Sequence, residues 1–198
     1  MAATKTNERR GSSADITDAV LGPLRCDPFE VRDVLMVAAR TRVFRVLWSD
    51  DILDECVRNL IKDGRATKEN MERMVTTMKR LHPDATVTGY HHLISSMTCD
   101  EKDKHVLAAA VVGKADVIVT YNIGDFPQAS VEPHAIEIQT PDEFIHHVLD
   151  LAPAAFIKVF CDNAALRHKP PVTPEDVANH LESGLLPISG AYISELLK

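Results

Sequence analysis

Residues 98–127 read TCDEKDKHVLAAAVVGKADVIVTYNIGDFP, and they hold the two carboxylates best placed to work together, Asp103 and Asp125. Carboxylate oxygens are the donors that hard divalent cations prefer. An apolar helical run over 106–112, a Gly113-Lys114 stop and a β-branched strand over 117–120 separate the two acids. So continuous an apolar strand belongs in the middle of a parallel sheet. In such a sheet the crossover helix runs antiparallel to the strands, so its start lies beside their carboxyl ends, where open α/β sheets bind ligands. Asp103 and Asp125 are thereby brought to one edge. Asp100 suits the helix N-cap and Asp103 its first turn, where the helix dipole favours a carboxylate. The same acids serve equally well as plain helix caps, and Asn122 and Asp125 as turn formers. Spacing alone leaves both roles open.

The elements that must position this unit follow along the chain. About 14 polar residues open it and read as disordered. The stretch ADITDAVLGPLRCDPFE is the least legible: Ile16, Val20 and Leu21 are few for a strand, and Pro23 and Pro28 interrupt it. A helix is expected over 31–40 and a strand over 43–47. Ser49 then caps a helix that Gly64 ends, and another helix covers 67–81. A short strand over 86–89 and a helical turn over 90–96 come next. HAIEIQT is a further strand, and Thr140-Pro-Asp-Glu opens a helix with a capping box. Pro153 marks a boundary, after which the apolar spacing predicts three more helices. The reading divides the chain into a disordered 1–14, an α/β domain over 15–150 and a helical extension over 151–198.

The 198 residues are 45% hydrophobic and 26% charged, the balance of a globular protein with one core and an appendage. No run approaches the roughly 18 apolar residues of a membrane span, and MAATKTNERRGSS lacks the apolar stretch of a secretory signal. Cys26, Cys56, Cys99 and Cys161 are scattered without a CxxC pair, which favours a reduced, cytoplasmic setting. A net charge of -7 argues against non-specific coating of nucleic acid. Residues 56–82 nevertheless carry seven bases against three acids, and residues 131–198 ten acids against four bases. A local basic face can therefore lie beside an acidic site. Adjacent pairs His91-His92 and His146-His147 diverge on any regular backbone, so each pair offers at most one ligand.

With PFEVRD, LWSDDILDE, HPDATVTGY, CDEKDKHVLAAAV, DVIVTYNIGDFP and TPDEF in this order, the chain resembles PIN-domain ribonucleases. It is most similar to the larger VapC-type toxins of toxin-antitoxin pairs, whose C-terminal helical extension PPVTPEDV matches. The resemblance implies a three-layer fold with a central parallel sheet flanked by helices. It implies a metal-dependent endoribonuclease that hydrolyses RNA with Mg²⁺ or Mn²⁺ held by a few acids. By position in the motifs those acids are Glu55, Asp103 and Asp125, with Asn122 and Asp100 lining the same pocket. It further implies an RNA substrate and a small antitoxin that inserts a basic side chain into the acidic pocket. The extension would pack on the domain, form a homodimer or enlarge the antitoxin interface.

The front of the chain departs from the family pattern. Relatives end their first strand in an aspartate about 11 residues before the final Asp of the PxxxRD element, here Asp33, and that count lands on Gly22. Asp18 in TDAVLGP gives the better local match and is taken as the fourth catalytic and metal-binding acid, with Asp27 as the other candidate. If neither reaches the pocket, a ligand has been lost. A degenerate PIN module that binds RNA or protein without cleaving is the alternative function. A phosphotransfer domain is a weaker third, because no lysine-bearing strand end accompanies the acids.

Overall fold

A computed structural model describes residues 17–22, 29–166 and 172–198. Four parallel strands form one sheet in the order β2-β1-β3-β4, with β1 Thr17–Leu21, β2 Phe44–Leu47, β3 Val117–Val119 and β4 Glu137–Gln139. The sequence turns from one side of β1 to the other after β2, which makes the β1/β3 boundary the topological switch point. The crevice for ligands lies outside the carboxyl ends there. Strand residues alternate between faces as the pleat demands. Ala19, Leu21, Phe44, Val46, Val117 and Val119 join one apolar cluster, while Val20, Leu47 and Ile118 join the other. The fold is therefore the expected three-layer α/β arrangement with C-terminal helices.

The helices are α1 Phe29–Ala39, α2 Asp50–Lys62, α3 Lys68–Leu81, α4 Lys104–Gly113, α5 Gln128–Val131, α6 Pro141–Leu151, α7 Pro153–Ala165, α8 Pro174–Ser183 and α9 Pro187–Leu196. Ser49 and Thr67 cap α2 and α3 by accepting from Ile52 N and Asn70 N. Thr140 and Thr173 build reciprocal capping boxes with Glu143 and Asp176. The strand expected over 86–89 reduces to one bridge between Trp48 and Thr86, reinforced by Trp48 Nε1 donating to Thr86 Oγ1 at 3.2 Å. Gly113 ends α4, but the left-handed residue is Lys114, at φ 56°. Gly113 is small for a different reason: a Cβ there would meet Val87 Cγ2 at 3.0 Å and Leu47 Cδ1 at 3.1 Å.

The stretch that was hardest to read supplies β1, the strand paired on both sides, by β2 and by β3. Five residues with three apolar side chains are a weak signal alone. Between two partner strands they bury Ala19, Val20 and Leu21 almost completely, so tertiary pairing overrides propensity. The expected disorder over 1–14 and Asp27 lie outside the described residues.

The C-terminal helices do not form a second core. Phe156, Phe160, Ala178, Leu181 and Ile193 share one buried cluster with α1, the sheet and α6, and Phe144 meets Phe44 edge to face at 4.8 Å. Asp142 fastens the last helix. Its buried carboxylate accepts from Ser189 N at 2.8 Å and Ile188 N at 3.0 Å, satisfying two of the donors that every helix start leaves open. At the α8/α9 crossing a Cβ on Gly190 would lie 2.3 Å from Glu182 N. Gly190→Ala should therefore push the two helices apart and cost about 1–3 kcal/mol. Urea unfolding checks this, and an unchanged midpoint would show that the crossing yields without cost.

Candidate active site

Three turns converge at the carboxyl edge of the sheet. β2 runs into Ser49, whose cap sets the start of α2 and places Glu55 one turn in. Asp100 caps a 3₁₀ turn, Glu101–Asp103, by accepting from Lys102 N at 3.1 Å, and Asp103 N donates to Asp100 O. After β3, Asn122 N donates to Thr120 Oγ1 and a second 3₁₀ turn, Ile123–Asp125, follows. Asp100 N donates to Asp125 O at 2.9 Å and ties the two 3₁₀ turns together. The convergence of Asp103 and Asp125 inferred from the order helix, strand, loop is realised.

Asp103 is not in the first helical turn, as expected, but ends the 3₁₀ turn as the residue before α4. Its side chain is 2% exposed, and no hydrogen-bond donor reaches its Oδ2. Burial pushes its carboxyl from the usual 3.8 up to about 6; the nearby Asp125 and Glu55 carboxylates add to the rise and the Lys102 ammonium opposes it. Lys102 Nζ lies 3.0 Å from Asp125 Oδ2 and 3.9 Å from Asp103 Oδ2. That hydrogen bond to Asp125 holds the ammonium above its ordinary pKa. Glu55 Oε2 is 3.4 Å from Nε2 of His105, which follows the buried acid by two residues at the start of α4.

Asp18 does not belong to this group. It lies at the start of β1, opposite Arg45 in the register, on the amino edge of the sheet. Its carboxylate accepts from Arg45 Nε at 2.8 Å and Nη2 at 2.7 Å, and its own N–H donates to Asp116 Oδ2, just ahead of β3. Four residues of extended strand separate it from the catalytic edge, roughly 13 Å. Gly22 occupies the carboxyl end of β1 instead. Its N–H donates to Val119 O at 3.0 Å, and its missing Cβ would sit 3.4 Å from Thr120 Cβ. The count of 11 residues back from Asp33 points to the correct place, and the local likeness of TDAVLGP misleads.

Asp100 turns its carboxylate to a backbone N–H, and Asn122 shapes the loop before Asp125. Both border the site through the turns they set. Among the described residues no three acid, histidine or cysteine side chains are gathered closely enough to enclose a metal ion as they stand. What fits a hard cation is narrower: the Asp103/Asp125 pair, one oxygen of it buried and unpartnered, with Glu55 nearby. Mg²⁺ commonly uses one or two carboxylates and keeps its remaining ligands as water. Sequence reasoning missed Lys102, whose only signal is a lone base inside the acidic run CDEKD.

The PIN-domain family description matches residues 16–124, more than half the chain and all three strands that frame these acids. The chain belongs to the PIN-domain family. A second description, the VapC50 C-terminal domain, matches residues 141–193. This PIN protein is 40% identical over 93 residues to "Putative ribonuclease VapC50" of Mycobacterium tuberculosis, covering 47% of the present chain and 55% of that protein. The match thus spans about half the length of the relative. No solved structure matches. In this PIN domain the C-terminal match begins at Pro141, so it includes α6, the helix that packs on the sheet through Phe144.

A carboxyl raised in the fold binds its proton more tightly there than in the unfolded chain. Ionising Asp103 therefore costs stability as pH rises through the window from about 4 to about 6. Asp103→Asn should stabilise the metal-free protein by about 1–3 kcal/mol at pH 7 and by little at pH 4. Thermal melts in EDTA across this range measure the difference, and a gap that does not change with pH would exclude the buried charge as its source.

Proposed function

We propose that this protein is a metal-dependent endoribonuclease and the toxin of a toxin-antitoxin pair. The observation that carries the reading is the buried Asp103 carboxylate facing Asp125, with Glu55 beside them, at the switch point of a PIN-family sheet. Asp103 and Asp125 are the residues to hold Mg²⁺ or Mn²⁺, assisted by Glu55. When bound, a divalent ion neutralises the scissile phosphate and lowers the pKa of an attacking water. The chain's own part is to hold the two carboxylates rigidly at this edge. Val106, Leu107 and Ala108 bury the helix behind Asp103, and the Asp100 N–H to Asp125 O bond fixes the spacing of the two turns.

No protein nucleophile is needed, and the nearest thiol is a poor one: burial raises Cys99 to about 11. Arg58, Lys62, Arg65, Lys68, Arg73, Lys79 and Arg80 are all exposed on α2, α3 and the turn between them. They supply the basic face that attracts RNA towards an otherwise acidic edge. The relative's printed name as a ribonuclease supports the activity, and the VapC50-type C-terminal match supports the toxin assignment. An antitoxin would offer a basic side chain to the same carboxylates, and the C-terminal helices would add to its interface or to that of a homodimer. Among the described residues Cys56, Cys99 and Cys161 form no disulfide, which accords with a cytoplasmic location.

A second reading, a PIN module that binds RNA without cutting it, is favoured by one observation: the carboxyl end of β1 carries Gly22 where an acid is expected. Cleavage of an RNA pool by purified protein, with Mg²⁺, Mn²⁺ or EDTA, separates the two. The nuclease reading expects metal-dependent cutting that falls about 100-fold or more in Asp103→Asn, the variant expected above to be more stable than wild type without metal. Asp18→Asn should cut as wild type does and lose under about 1 kcal/mol of stability with its half-exposed ion pair to Arg45. Folded wild type that binds RNA and cuts at no metal concentration would establish the second reading.

A further inference from the structure

Among the described residues, the cation placed against Asp125 and Asp103 is the chain's own Lys102. We propose that Lys102 is a built-in competitor for the metal: its ammonium occupies the Asp125/Asp103 position, and a divalent ion must displace it to bind. This rests on the metal-dependent reading above. Lys102 Nζ is 3.0 Å from one Asp125 oxygen and 3.9 Å from the Asp103 oxygen that no hydrogen-bond donor reaches. A compact point charge between two carboxylates answers the same electrostatic need as a hard cation, with less charge and no open coordination positions. Both cannot hold the same oxygens.

The position is built. Asp100 caps the backbone N–H of Lys102, and the 3₁₀ turn directs residues 102 and 103 to the same edge. The side chain is also free to leave: it is 52% exposed, and its four-carbon stem reaches solvent without moving the turn. Gly22 strengthens the case: the acids whose charge acts on Lys102 are Asp125, Asp100 and Asp103, and with no acid at the carboxyl end of β1 one ammonium neutralises a larger share of the edge. The consequence is a protein whose metal affinity is set low by its own sequence, so that ion concentration decides how much of it is loaded.

The test is Mn²⁺ binding to the full chain, freed of any antitoxin, by isothermal titration and by the loss of the free-ion EPR signal. Lys102→Gln should bind about tenfold more tightly than wild type. Lys102→Arg, which keeps the charge, should stay within about threefold of wild type. Lys158→Gln, which removes an equal charge from the Lys158–Asp162 pair on α7, should change affinity less than about twofold. Binding to Lys102→Gln that is equal to or weaker than wild type overturns the competitor role and leaves the metal-site reading standing. Absence of Mn²⁺ binding in wild type and every variant overturns both. Binding in Lys102→Gln alone supports the competitor role in its strongest form.

Discussion

The structure turns on one electrostatic conflict, a carboxylate buried against an apolar helix. Asp103 is withdrawn from water by the packing that makes α4 a core helix, and two further acids are set around it. Such a group is costly unless a cation compensates it. The fold supplies a partial answer in Lys102. In the metal-dependent reading proposed above, function and instability have one source, because the carboxylates that would hold a cation are the ones whose burial costs stability.

Holding that conflict in place takes most of the molecule. The turns on either side of the pocket are fixed by backbone N–H groups donating to Asp125 O, to the Thr120 hydroxyl and to the Asp100 carboxylate, so the Asp103 and Asp125 carboxylates need not hold them. Behind them the sheet is clamped from both faces. The C-terminal helices contribute to this clamp: Phe144, Phe156 and Phe160 pack into the same core as β1 and β2. The extension works as the outer wall of one layer, and Asp142 closes it by capping α9.

Most elements were legible because their signals are local. Ser49 and Thr140 cap where a short polar side chain precedes an apolar period, and each forms the expected hydrogen bond; Thr67, read as the first residue of its helix, caps α3 in the same way. The β3 run was plain because a strand buried on both faces must be apolar throughout. The first strand was not plain: Thr17–Leu21 has little propensity of its own, and its identity comes from the two strands beside it. The misplacement of Asp18 has the same origin. Without the strand's limits, nothing in the sequence says which end of it an acid occupies, and Asp18 stands at the wrong end, paired with Arg45.

The sequence by itself determined the layered α/β class, the starts of the helices capped by Ser49 and Thr140 and the meeting of Asp103 with Asp125, because hydrophobic period, capping chemistry and the direction of a parallel crossover are local properties of the chain. Tertiary structure alone decided that Asp18 faces away, that Gly22 ends β1 beside Thr120, and that Lys102 lies across the acids. Those facts depend on register and on where a side chain ends after packing, and both are set by contacts between residues far apart in sequence.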